Sequence, residues 1–157
     1  EAAAERVSPR DSASIQLDAG IAKICYGAPS VRGRTIFGGL EEYGQPWRMG
    51  ADEATALHLT FPAEVAGIAV DPGVYSLMGI PGQDSWEIIV NSNAERWGIP
   101  ITDEVRSQDV GTSTVMPEEL ESSVEQLRYR FEREGANRAV LYLEWADTRI
   151  PISIEAQ

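Results

Sequence analysis

A chain of 157 residues fits a single domain, 1–157, and a domain of this size buries roughly 70% of the surface its unfolded chain exposes. Hydrophobic content of 43% and charged content of 24% exclude a disordered class, and no apolar run approaches the ~18 residues a membrane helix needs, so no membrane span is expected. The net charge of −12, from 25 acidic and 13 basic residues, repels phosphate backbones and anionic lipid, which disfavours nucleic-acid partners. Cys25 and His58 are the lone cysteine and histidine. No intrachain disulfide or thiolate-rich metal site can form, and any Ser-His-Asp triad must pass through His58; no metal and no cofactor are expected.

In chain order, residues 1–11 read as an N-terminal tail, and residues 12–18 alternate through Ile15 and Leu17. Asp18-Ala19-Gly20 turns the chain, and residues 21–26 return as a strand carrying Cys25 as a small buried hydrophobe. From Gly27 to Gly50 the alternation lapses into a Gly-rich connection with Gly33, Gly38, Gly39 and Gly44; a loop this long is functional or packed down by its own side chains. Alternation resumes at 54–61, where His58 points away from the face of Leu57, Leu59 and Phe61. A strand follows at 65–70, then the Asp71-Pro72-Gly73 turn, then a hairpin of 74–80 with 86–91. Residues 92–109 are polar and irregular, and 110–116 read as a strand.

Residues 118–132 support two readings. Leu120, Val124, Leu127 and Phe131 follow helical spacing, whereas Leu127, Tyr129 and Phe131 alternate with polar residues as a strand would from Val124 onward. The strand is favoured and the helix stays open. Residues 138–145 and 148–154 close the chain as a hairpin about Ala146-Asp147. Eight to ten short strands with turns at this spacing predict an all-β fold, an antiparallel β-sandwich with one long Gly-rich loop.

The connection also carries a resemblance. Gly27-Ala28-Pro29-Ser30-Val31-Arg32-Gly33-Arg34-Thr35-Ile36-Phe37-Gly38-Gly39-Leu40, leading into Tyr43-Gly44-Gln45-Pro46-Trp47-Arg48-Met49-Gly50-Ala51-Asp52-Glu53-Ala54-Thr55, resembles the signature of the exported bacterial domain family of unknown function numbered 2911. Ser8-Pro9, the run from Pro72 to Leu77, Trp86, Trp97-Gly98, Val124-Glu125-Gln126 and Leu143-Glu144-Trp145 extend the likeness over almost the whole chain. The resemblance implies an extracytoplasmic, all-β domain (periplasmic, cell-surface or secreted, after removal of a signal peptide not present in this sequence) with no settled catalytic residues. Members of that family commonly carry Asn where this chain has Asp52.

Arg32, Arg34, Arg48, Asp52 and Glu53 form the densest polar set outside the strands. Glu53 or Asp52 as general base with Arg48 as electrophilic partner would make a hydrolase or lyase, and His58 is a further base candidate. The same arginines paired with acids and loop carbonyls would instead fasten the connection. Trp47 and Trp97 are candidates for stacking a glycan or peptide, with Arg32, Arg34 and Arg48 as anion ligands. With so few catalytic residue types, the expectation is a non-catalytic binding or self-assembly module. Self-association would run through the N-terminal tail or edge strands.

Overall fold

Period-two alternation builds most of the molecule. The computed structural model describes residues 8–94 and 100–157. Its elements in order are β1 (Arg10–Gln16), β2 (Ile21–Gly27), β3 (Thr55–Leu59), β4 (Ala63–Val65), β5 (Ile68–Val70), β6 (Gly73–Ile80), β7 (Trp86–Asn91), the short α1 (Asp103–Arg106), β8 (Asp109–Val115), β9 (Glu118–Gly135) and β10 (Arg138–Ala156). Six strands form one antiparallel sheet in the order β1-β2-β3-β6-β7-β8, and four form a second in the order β5-β4-β10-β9. The predicted all-β sandwich is what forms. No helix among the described residues is long and apolar enough to cross a membrane.

The core lies between the sheets. From the first come Ala22, Ile24 and Tyr26 of β2, Leu57 and Leu59 of β3, and Ile88 and Val90 of β7. From the second come Leu127 and Tyr129 of β9 and Leu141, Leu143, Trp145, Ile150, Ile152 and Ile154 of β10. Each fully buried Leu or Ile contributes about 1.5–3 kcal/mol relative to exposure, so this layer dominates the stability. Cys25 and His58 fall on the other side of their strands and are half-buried on the outer face, which corrects the expectation of a buried cysteine.

Three local expectations give way to the structure. Ala146-Asp147 is no hairpin turn: β10 runs on through it, opposite β9, with register shifts on either side of Ala146, whose φ is 54°. One extra residue reverses side-chain parity. Leu141, Leu143 and Trp145 point inward at odd positions, and Ile150, Ile152 and Ile154 at even ones. The same irregularity explains the helical look of 118–132. Parity changes between Val124, opposite Ala146, and Leu127, so a bent strand imitates a period nearer 3.6. The strand starts at Glu118, earlier than Val124. Residues 65–70 are two strands, β4 and β5, joined at Ala66 (φ 50°) and Gly67 (φ 84°), a pair of left-handed residues that suits a two-residue hairpin.

The N-terminal tail is shorter than read: Arg10 and Asp11 already pair with Gly27 and Tyr26. Residues 1–7 of the tail expectation, and Trp97, lie outside the described residues.

The connection from Ala28 to Ala54 has almost no ladder of its own, so its backbone groups find partners on the sandwich. Ala28 donates to the Pro9 carbonyl (2.8 Å), Val31 to Glu125 (2.8 Å), and Leu127 returns a bond to Pro29 (2.8 Å). Trp47 and Gly79 exchange bonds of 2.7 and 2.8 Å, and Ala51 donates to Gly27 (3.1 Å). That last contact needs glycine, because a Cβ at Gly27 would lie 2.1 Å from the Ala51 carbonyl oxygen.

Candidate functional site

Trp47 fixes the connection from beneath. It is 4% exposed, stacked on Trp145 (5.8 Å between centroids, 16° between planes) and met edge-on by Phe37 and Trp86 at 5.5 and 6.0 Å. Trp47 therefore belongs to the core and presents no face for a glycan, contrary to its reading as a stacking residue. The Trp145 indole N–H donates to the Glu125 carbonyl (3.1 Å), tying this aromatic floor to β9.

Beside the floor the backbone is held in unusual conformations. Arg32, Met49 and Asp52 have φ of 52°, 56° and 65°, left-handed values that cost a non-glycine residue about 1–2 kcal/mol each. Asp52 sits where Asn and Asp are the best-tolerated alternatives to glycine, which gives that position a backbone reason for either residue. Met49 is held by its carbonyl, which accepts from the Tyr129 hydroxyl (2.7 Å) and from Thr55 Oγ1 (3.1 Å). Burial, reinforced by Tyr26, pushes the Tyr129 phenol well above its usual range, so it remains the donor in that bond.

Above the floor opens a cavity of about 260 Å³. Arg32, Arg34, Arg48 and Asp52 all line it, together with Ser8, Ser30, Leu40, Glu41 and the edge of Trp145. Four of the five charged residues singled out in the sequence thus converge. The fifth, Glu53, does not line the cavity; its carboxylate lies 3.7 Å from Arg10 Nη1, toward β1. His58 is also remote, on the outer face of the six-stranded sheet in register with Lys23 and Val74. A base drawn from Glu53 or His58 has no access to this cavity.

The arginines take up the fastening role foreseen for them. Arg34 donates from Nε to the Val31 carbonyl (2.9 Å) and from Nη2 to Ser30 (2.7 Å). Arg48 donates from Nε to Gly50 and from Nη1 to Asp52, both at 3.3 Å. These bonds fasten the connection and immobilise the guanidiniums. A guanidinium has more N–H donors than two such bonds use, so among the described residues each has donors beyond those that fasten the connection.

Glu41 is the residue that sequence reasoning missed. A tight loop delivers it: its N–H donates to Ile36 (2.8 Å) and its carbonyl accepts from Gly38 (2.9 Å). Its side chain is half-buried on the cavity wall. Burial raises its pKa from 4.5 to about 7, against the opposing pull of Arg48 and Arg34. No ion pair or hydrogen bond engages its carboxyl among the described residues. The Phe37-Gly38-Gly39-Leu40 run is a turn signal, and a turn there returns the next residue toward Arg34.

Chemically, the cavity offers fixed guanidiniums, a carboxyl poised to carry a proton near neutrality and two serine side chains. Among the described residues no group of three or more His, Cys, Asp and Glu could hold a metal ion. The family described as protein of unknown function (DUF2911) matches residues 8–154, and the chain belongs to it. No curated protein and no solved structure matches the chain.

Proposed function

We propose that this member of the DUF2911 family is a non-catalytic, extracytoplasmic binding module whose site is the arginine-lined cavity and whose ligand is a small molecule bearing a carboxylate or phosphate-like oxyanion. One observation carries the reading: Arg32, Arg34 and Arg48 line a single pocket in a protein of net charge −12. Guanidiniums are the side chains best matched to planar, bidentate recognition of oxyanions.

The opposing charge of the whole chain sharpens the selectivity. Beyond a Debye length of about 8 Å surface charges are largely screened. A compact anion inside the cavity meets mainly the guanidiniums, whereas a polyanion lying across the surface meets the acidic excess. The volume of about 260 Å³ suits a small molecule rather than a folded partner. The extracytoplasmic placement rests on the resemblance of the connection to the signature of exported domains.

Calorimetric titration with sulfate and with acetate at about pH 6 tests the proposal. Binding by the wild type, weakened about tenfold or more in Arg34→Ala and in Arg48→Ala but unchanged in Arg138→Ala on the far hairpin, is the expected result. Near-ultraviolet circular dichroism checks that the variants keep the aromatic floor. Absence of binding by a folded wild type, or equal binding by all variants, would sink the proposal.

A further inference from the structure

Two features of the cavity pull in opposite directions for an anionic ligand. Arg34 and Arg48 are held in place by carbonyls of the connection, line the pocket, and among the described residues use only part of their N–H donors in those bonds. Glu41 shares the same wall and, when ionised, would set a second negative charge against any oxyanion held there. The conflict disappears if Glu41 carries a proton: a carboxylic acid is a hydrogen-bond donor, and an oxyanion is an acceptor.

We propose that the cavity takes up its oxyanion together with one proton, which resides on Glu41 and is donated as a hydrogen bond to the ligand between Arg34 and Arg48. This rests on the binding function proposed above and adds its regulation. No covalent bond is made or broken. A proton passes from solvent to the Glu41 carboxylate as the ligand enters, and returns to solvent as it leaves.

The surroundings of Glu41 support that direction. The charged groups lining the cavity from the connection are Arg32, Arg34, Arg48 and Asp52. From β9 the Glu125 carboxylate approaches, accepting from the Arg32 N–H at 2.9 Å. Among the described residues, β10 contributes the uncharged indole of Trp145 and the segment before β1 the hydroxyl of Ser8. Without ligand, burial keeps the carboxyl near its protonation midpoint at neutral pH, with Arg48 and Arg34 restraining the shift. A bound anion offsets those two positive charges and moves the midpoint further up. By linkage, affinity must then fall as pH rises through and above about 7.

Sulfate and acetate are suitable probes because neither changes charge appreciably between about pH 6 and pH 8.5, and preference between them separates a phosphate-like ligand from a carboxylate one. Calorimetry across that range should show wild-type affinity weakening toward about tenfold per pH unit above pH 7. Repetition in buffers of different ionisation enthalpy should count close to one proton taken up per ligand at about pH 8. Glu41→Gln keeps the shape and a donor without the charge. It should bind about as tightly as the wild type does at pH 6, with affinity flat across the range.

Wild-type binding that is equally flat overturns the proton coupling while leaving the arginine site standing. A folded Glu41→Gln that binds at no pH, beside a wild type that does, also overturns it, because Glu41 would then act as a carboxylate. Failure of the wild type to bind either probe at any pH removes the binding function and this inference with it.

Discussion

Two carboxylates in this protein are each attended by a pair of arginines, and they end in opposite states. Glu144 on β10 is 2% exposed, with Oε1 accepting from Arg128 Nε at 2.8 Å and Oε2 from Arg130 Nε at 3.2 Å. Arg130 also reaches Glu132 at 3.0 Å and lies over the Tyr142 ring, with Arg149 over the same ring, each at 4.6 Å. Glu41 has Arg34 and Arg48 beside it, yet both guanidiniums turn to backbone carbonyls. The difference lies in the backbone. In the β9–β10 pair the register sets Glu144 directly opposite Arg128, and ladder bonds occupy the carbonyls, so the arginines have no stronger acceptor than the acid. In the connection the carbonyls have no ladder, and they claim the arginines first. The same residue types therefore make a closed clasp on the sheet and an open site on the loop.

The comparison can be broken by removing each acid in turn. Glu144→Ala should show the larger effect, a loss of about 1–3 kcal/mol in urea unfolding. The lower part of that range applies if Arg128 and Arg130, already partly exposed, rehydrate fully. A change within about 0.5 kcal/mol would mean the pair is a surface ornament and the contrast with Glu41 false.

Glu41→Gln should act with the opposite sign. In the unfolded chain this carboxyl ionises near 4.5, and in the folded chain near 7. Between those values the native state holds a proton the unfolded state has lost, so the wild type loses stability as pH rises through the window. At about pH 8 the variant should be more stable than the wild type by about 1–2 kcal/mol, a figure discounted for the solvent reaching a half-buried side chain. Below about pH 4 the two should unfold alike. Equal stability at both ends would remove the strain assigned to Glu41.

The fold was largely legible because alternation reports a half-buried sheet directly, and Ile21 to Tyr26 or Leu57 to Leu59 behave as their pattern says. It failed where one residue shifts the phase. Ala146 bends β10 and exchanges the inward parity of both long strands, which a fixed period renders as a turn in one and a helix in the other. At the site, Arg32, Arg34, Arg48 and Asp52 were legible as a dense charged set on a long connection, and they converge. Glu53 is adjacent to Asp52 in sequence, but Asp52 takes a left-handed turn and Glu53 faces Arg10 instead. Glu41 was illegible as a site residue because nothing local shows that a loop closed by Ile36 and Gly38 will aim it inward. Trp47 was open to a stacking role because its backbone bonds to Gly79 and its stack on Trp145 are long-range facts.

The most direct test is a carbon-13 NMR titration of the Glu41 carboxyl, assigned by comparison with Glu41→Gln, first alone and then with saturating sulfate. The account predicts a midpoint near 7 in the unliganded protein and a higher one when sulfate is bound. A midpoint in the ordinary carboxylate range, unmoved by sulfate, would contradict it.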